Sequence, residues 1–297
     1  MTQKILVTGA SGHFGQRVLH HLQHSLGVAA NRLVAASRSP SKLADLAAQG
    51  IETRALDFER PETFAAAFAG IDRALLISTD ALDDTGRRLA QHKAAVAGME
   101  QAGVRHVVYT SAPDPEGAPL LIAPDHDGTE KALAASTLAG WTVLRNHWYF
   151  ENLFLFLPSA IASGIWYAAD GGRGSADISR DDLALAAATV LAGKAEGRHT
   201  YTLSGSQSLT KAEIASQVSA AIGKPIAVAQ VPSEALVQGM VGGGLPEGLA
   251  RIFASFDTNT AAGRVETVTG DFEQITGRKP QTLAEWASAN TQALAAL

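Results

Sequence analysis

KILVTGASGHFG, residues Lys4 to Gly15, joins a short run of β-formers to three glycines at fixed spacing. Ile5 to Thr8 predict a brief buried strand. Gly9, Gly12 and Gly15 follow, and a helical pattern with Val18, Leu19 and Leu22 on one face opens directly after them. Strand, glycine turn and helix in that order suit a pyrophosphate. Gly9 permits the tight turn, Gly12 lets a phosphate approach the backbone, and Gly15 lets the helix lie close to the strand. The helix N-terminus adds N–H groups and a partial positive charge. A dinucleotide site at this turn is expected to involve Thr8, Gly9, Ser11, Gly12, His13, Phe14 and Gly15. The competing reading is a glycine-rich turn with a structural role only.

Outward from this stretch, strands and helices alternate. Arg32–Ser37, Ile51–Leu56, Arg73–Ser78, His106–Thr110 and Trp141–Arg145 read as strands, and Ser41–Gln49, a segment opening at Pro61, Thr85–Ala102 and Asp125–Ser136 read as helices. That order predicts an α/β fold: a Rossmann-like, doubly wound parallel sheet with right-handed crossovers. Four prolines in Ser111–Pro124 interrupt it, and a loop over the carboxyl ends of the strands is expected there. Tyr149–Ala162 reads as an apolar helix. Beyond Gly164 the pattern changes. Ile178 ends a strand, Ser179 caps a helix, and Thr210–Glu213 and Thr282–Glu285 are capping boxes. Residues 1–150 are therefore expected to form the dinucleotide-binding domain. Residues 151–297 are expected to form a smaller, mostly helical lobe that covers the cofactor crevice, with some segments returning to the sheet.

Composition narrows the function. The 297 residues allow one large domain or a domain with a lobe, and 46% hydrophobic residues supply a core. A formal net charge of -5 argues against nucleic acid as a partner. The chain has no cysteine, which removes disulfides and thiolate chemistry. No apolar run is long enough to span a membrane, and Met1 leads within a few residues into the first strand. A cytoplasmic protein without a signal peptide is expected. His20 and His24 share a helix surface and read as solvated, so no metal site is expected.

The end of the second strand selects the nucleotide. Ser37 and Arg38 occupy the place where an NAD site usually carries an acid, so no carboxylate there repels a 2′-phosphate. Arg38 can pair with that phosphate in bidentate fashion, and Lys42 can add charge. NADPH is the favoured cofactor. The alternative for both cations is a solvated surface side chain. Asp57 either contacts the adenine or is a plain turn aspartate.

Hydride transfer asks the protein mainly to hold donor and acceptor together, since the cofactor carries the chemistry. The candidates near the strand ends are Thr110, Ser111, Asp125, His126, Asp127, Glu130 and Lys131. A typical short-chain dehydrogenase has a Tyr-x-x-x-Lys pair on this helix, and this chain has no tyrosine there. His126 stands nearest to its place, but five residues before Lys131, which rotates the two by about 140°. Asp127 and Lys131 share a face instead. Lys131 at the nicotinamide ribose and His126 as proton donor are the expectations; for His126 the alternative is a partly exposed histidine at a helix start. Trp148, Tyr149 and Phe150 could stack on a flat acceptor, or begin an apolar helix by packing.

VTGASGHFG, SRSPSK, LDFERP, LLIST, HVVYTS, HDGTEK, LRNHWYFEN and the late TGRKPQTLAEW occur in that order over nearly the whole chain. Together they resemble the NmrA-like atypical short-chain dehydrogenases, most of all the bacterial NADPH-dependent quinone oxidoreductase type 2 group and triphenylmethane dye reductases. The resemblance implies NADPH on Gly9, Gly12, Gly15 and Arg38. It implies a nicotinamide pocket with Ser78, Thr79, Thr110, Lys131, Asn146 and Tyr149. It also implies hydride transfer to a quinone-like or dye-like small molecule. The missing Tyr-x-x-x-Lys is shared with these relatives, and a quinone can draw its proton from water. Two other functions are weighed: an NmrA-type NADP-sensing regulator without turnover, and a sugar-nucleotide epimerase or dehydratase, which usually keeps the tyrosine. The expected partner is a small-molecule acceptor, with a homodimer left open and no nucleic acid or membrane.

Overall fold

The computed structural model describes residues 3–82, 86–194 and 196–297. The chain divides into two compact units, one of Met1–Ala112, Asp125–Arg145 and Leu183–Tyr201, the other of Pro113–Pro124, Asn146–Asp182 and Thr202–Leu297.

The first unit is built on strands β1 (Lys4–Val7), β2 (Leu33–Ser37), β3 (Glu52–Ala55), β4 (Ile71–Leu76), β5 (His106–Ser111) and β6 (Gly140–Asn146), with β8 (Arg198–Leu203) completing a seven-stranded sheet of order β3-β2-β1-β4-β5-β6-β8. Each pairing from β3 to β6 is parallel. At the far edge the Trp141 amide donates to the Gly197 carbonyl at 3.0 Å, and the His147 amide to Leu203, also at 3.0 Å. A constant offset at both ends is what parallel strands require. Every residue of β2 and of β5 is buried, as expected of strands covered on both faces.

Helices α1 (His13–His20), α2 (Ala44–Ala48), α3 (Phe64–Phe68), α4 (Arg87–Gln101), α5 (Ala123–Ala135) and α7 (Arg180–Ala192) belong to this unit for most of their length. The expected helix start at Thr85 lies outside the described residues. Leu6, Val34, Phe64, Phe68, Met99 and Tyr109 lie in one continuous core cluster. Close contact against α4 excludes a side chain at Gly98, where a Cβ would fall 2.5 Å from the Phe64 ring. The strand order reverses between β2-β1 and β1-β4, and ligands bind at such a switch point.

The second unit holds α6 (Leu153–Ser163), α8 (Lys211–Ile222), α9 (Ser233–Gly242), α10 (Glu247–Ala261), α11 (Asp271–Thr276), α12 (Leu283–Ala289) and α13 (Thr291–Ala295). It also contains a two-stranded parallel sheet of β7 (Ile165–Ala168) and β9 (Ala227–Gln230). These two strands are corrections to the expected pattern. Each is short, and β9 has no buried residue, so neither strict alternation nor a long apolar run marks it. Ile178 does not end a strand but makes an isolated bridge to Tyr149. The caps form as expected. Ser179 Oγ accepts the Asp182 amide at 3.1 Å, and Thr210 with Glu213 and Thr282 with Glu285 make reciprocal capping boxes.

Candidate functional site

The glycine turn has the geometry that its sequence demands. Gly9 sits at φ +56°, in the left-handed region that β-carbons disfavour. A Cβ on Gly15 would fall 2.5 Å from the Gly9 carbonyl oxygen and 2.9 Å from Ala10 Cα, both backbone atoms. Gly12 is the N-cap of α1 and offers no side-chain cap, and the first turn of α1 holds no acid. A helix end without cap or carboxylate suits a diphosphate. Thr8 Oγ1 accepts the Ile77 amide at 3.0 Å and ties β1 to the loop after β4. Ser11 Oγ lies 2.9 Å from Ser37 Oγ, which brings the turn to the tip of β2. His13 is exposed there, and Phe14 is buried.

Arg38 stands exposed just past β2. Its guanidinium lies 3.6 Å from Asp80, and both side chains are well solvated, at 67% and 83% exposure. As expected, β2 itself brings no carboxylate to this tip, but Asp80 arrives from the loop after β4. An ion pair this exposed contributes well under about 1 kcal/mol and can yield to a phosphate. Lys42 is exposed on the 3₁₀ turn Pro40–Leu43. Asp57 Oδ1 accepts the Glu59 amide at 3.0 Å, an aspartate turn.

The loop after β4 is pinned from below. The Ser78 amide donates to Thr110 Oγ1 at 2.9 Å, and Thr79 Oγ1 donates to Gln91 at 2.7 Å. The Thr79 amide donates to His92 Nε2 at 3.0 Å, so that nitrogen is unprotonated, and His92 Nδ1 donates to Thr129 Oγ1, also at 3.0 Å. Burial, with the Arg88 guanidinium nearby, lowers the His92 pKa to about 3 and keeps the ring neutral. Sequence reasoning missed His92, because one histidine on a long helix carries no periodic signal. Ser111 donates to Glu130 at 2.6 Å, and Glu130 takes a two-point pair from Arg145 at 2.7 and 3.1 Å.

In the second unit a cavity of about 850 Å³, its open mouth included, is walled by Trp148, Tyr149, Phe156, Trp166, Phe253 and Phe256. Trp148 and Phe256 lie with ring centroids 3.8 Å apart. The polar part of the wall carries Asp177 and an ion pair of Lys211 with Asp257, and Lys211 also lies 3.6 Å from Asp170. Lys211 sits over the Trp166 ring at 5.6 Å. Asn146, 7% exposed, has no hydrogen-bond partner for either amide atom among the described residues. A buried amide left unpaired is costly, so this one suits a ligand's polar group.

An NAD(P)H-binding family matches residues 9–194. The chain belongs to that family. Quinone oxidoreductase 2 of Escherichia coli (strain K12) is 32% identical over 95% of this chain and 96% of its own. The crystal structure of the E. coli NADPH-dependent quinone oxidoreductase complexed with NADPH matches at TM-score 0.89 and 33% identity, covering 96% of this chain and 99% of that one. The Citrobacter sp. triphenylmethane reductase complexed with NADP(H) also matches at TM-score 0.89, with 32% identity, covering 97% of this chain and 100% of that one. This NAD(P)H-binding oxidoreductase has no helix long and apolar enough to cross a membrane among its described residues.

Two of the family member's expected catalytic groups look different in place. His126 is 4% exposed, and its Nδ1 lies 2.8 Å from the Tyr109 hydroxyl. Burial, with Arg88 and His92 adding to it, pushes its pKa well below the ordinary histidine value. The ring is therefore a buried, neutral partner of Tyr109 and not the partly exposed histidine that a helix start suggested. Lys131 pairs with Asp127 at 2.7 Å on the shared face that their spacing predicts, and its side chain is 63% exposed. The three consecutive aromatics divide: Phe150 is 5% exposed and packs on Trp286, while Trp148 and Tyr149 line the cavity.

Proposed function

We propose that the chain transfers hydride from NADPH to a quinone-like or dye-like small molecule. Among its own features, the aromatic cavity carries this reading: flat apolar walls with a few polar groups suit a planar acceptor. The likeness to a quinone oxidoreductase and a triphenylmethane reductase over nearly the full chain supports it.

In this reading Thr8, Gly9, Ser11, Gly12, His13, Phe14 and Gly15 hold the diphosphate, Arg38 and Lys42 hold the 2′-phosphate, and Asp57 flanks the adenine. Ser78, Thr79, Thr110, Lys131 and Asn146 hold the nicotinamide end, and Tyr149 faces the acceptor. NADPH, when bound, supplies a hydride. The chain's own task is to orient, to exclude water, and to keep the Thr79 amide fixed through neutral His92. Residues 1–150 serve the cofactor and 151–297 the acceptor, with β8 returning to the seven-stranded sheet and most of α7 to the first unit. A cytoplasmic site of action and a homodimer belong to the same proposal.

Absorbance of the reduced nicotinamide is followed with purified protein, NADPH and either a benzoquinone or a triphenylmethane dye. Steady loss that depends on the acceptor is the expected result. Tight NADPH binding with no loss for either acceptor overturns the enzyme and leaves a nucleotide sensor.

A further inference from the structure

Asp177 and Ser175 stand in a wall between two cavities of the second unit. On one side is the aromatic cavity. On the other is a smaller one of about 250 Å³, its open mouth included, lined by Ser206, Gln207, Gln281 and Thr282 together with Phe150 and Leu283. Ser175 Oγ donates to Asp177 Oδ1. A carboxyl with a largely apolar chamber before it and a smaller, partly polar space behind it is placed to pass protons from one to the other.

From this placement we infer that Asp177 is the proton donor to acceptors that need a proton as well as a hydride, refilled from solvent through the smaller cavity. The inference rests on the reading that the aromatic cavity receives the acceptor.

Reduction of a quinone takes two electrons and one proton with the hydride of NADPH, and a second proton completes the hydroquinone. The hydride leaves the acceptor as a hydroquinone anion, and NADPH becomes NADP⁺. The O–H bond of the Asp177 acid breaks, its proton forms the new O–H bond on the anionic oxygen, and the electron pair of the broken bond stays on the carboxylate. A solvent hydronium then gives its proton to the carboxylate through the smaller cavity, which restores the acid and leaves neutral water. A cationic triphenylmethane acceptor needs hydride alone, since adding it to the central carbon yields a neutral product.

The surroundings suit a carboxyl that changes charge. Desolvation raises the Asp177 pKa to about 6, opposed by the hydrogen bond from Ser175 and by the charge of Lys211. Lys211 is itself committed to Asp257 and to Asp170. Arg173, on the same cavity, pairs with Glu266.

The test compares the full chain with Asp177→Asn and Ser175→Ala, with NADPH titration and thermal midpoint as checks of folding. Carbon-13 NMR of the aspartate side chains in the cofactor-free protein should show one carboxyl, absent from Asp177→Asn, titrating near 6 rather than at the ordinary 3.8. Ser175→Ala should move that midpoint upward, because the lost hydrogen bond favours the charged form. With a benzoquinone, kcat of the full chain should fall as pH rises through the same midpoint. In Asp177→Asn the limb should vanish, and the ratio of quinone to dye turnover should drop by about tenfold or more. An Asp177 that titrates at the ordinary value, or a ratio that does not change, overturns the inference. A wild-type chain that reduces neither acceptor fails at the earlier reading instead, and the NMR midpoint then decides by itself whether Asp177 holds a proton near neutral pH.

Discussion

Arg38 is the residue on which cofactor choice turns. Its guanidinium is exposed beside Asp80, free of any backbone hydrogen bond that would commit it elsewhere among the described residues. Replacing it by aspartate puts two carboxylates where a 2′-phosphate must sit. Arg38→Asp should weaken NADPH binding by about two orders of magnitude, the worth of a charge-assisted pair plus repulsion, and NADH binding by far less. Parallel fluorescence titrations with the two coenzymes decide it: equal loss of both would refute the assignment. Asp80→Asn is the complementary change and should tighten NADPH slightly. His92 matters in another way. It is fully buried, and His92→Phe leaves the Thr79 amide without an acceptor. The expected cost is about 1–3 kcal/mol of stability, read as a lower urea midpoint at unchanged slope.

Among the elements, α8 and α12 each open with a reciprocal capping box. Thr210→Ala and Thr282→Ala each remove one hydroxyl acceptor and should cost about 0.5–2 kcal/mol. The two helices contribute Ile214, Val218 and Trp286 to one core cluster of the second unit. Their effects are therefore expected to be additive only if the packed faces stay intact, and calorimetry of the double variant measures any departure. The glycine turn and α1 act as one element too. Gly15→Ala drives a methyl into the Gly9 carbonyl and Ala10, neither of which is a flexible side chain that can step aside. Loss of coenzyme binding should therefore exceed loss of folding.

For the molecule as a whole, pH dependence follows from buried imidazoles. His92 has its pKa lowered to about 3, His106 and His147 to about 4, and His126 well below the ordinary value, each by desolvation first. In the unfolded chain these groups titrate near 6.5. Between that value and the folded ones the unfolded state binds more protons, so stability is full above about 6.5 and declines as pH falls. Asp177 runs the other way: its pKa is raised to about 6, so its contribution is present below the ordinary 3.8 and is lost as pH rises toward 6. Burial raises the Asp125 pKa as well, and four histidines against two aspartates predict a falling thermal midpoint from pH 7 to pH 5. A midpoint that holds level or rises over that interval contradicts the buried, neutral assignment.

Local chemistry wrote much of this protein legibly. The glycine turn, the alternation of strand and helix through β6, the capping boxes and the Asp127–Lys131 face all depend on residues a few positions apart, where steric limits and helical period act directly. Arg38 could be placed for the same reason, since it ends the strand that follows the turn. Other features needed the folded chain. Asp80 meets Arg38 only because β1 and β4 are neighbours, and His126 is buried against Tyr109 only because α5 packs on the sheet. Short β7 and β9 exist because each finds the other across some sixty residues, a pairing without a local signal. Asp177 gains its unusual proton affinity from surroundings that several distant segments assemble. Conformational preference is a property of neighbours along the chain, whereas burial and dielectric belong to neighbours in space, and only tertiary structure specifies those.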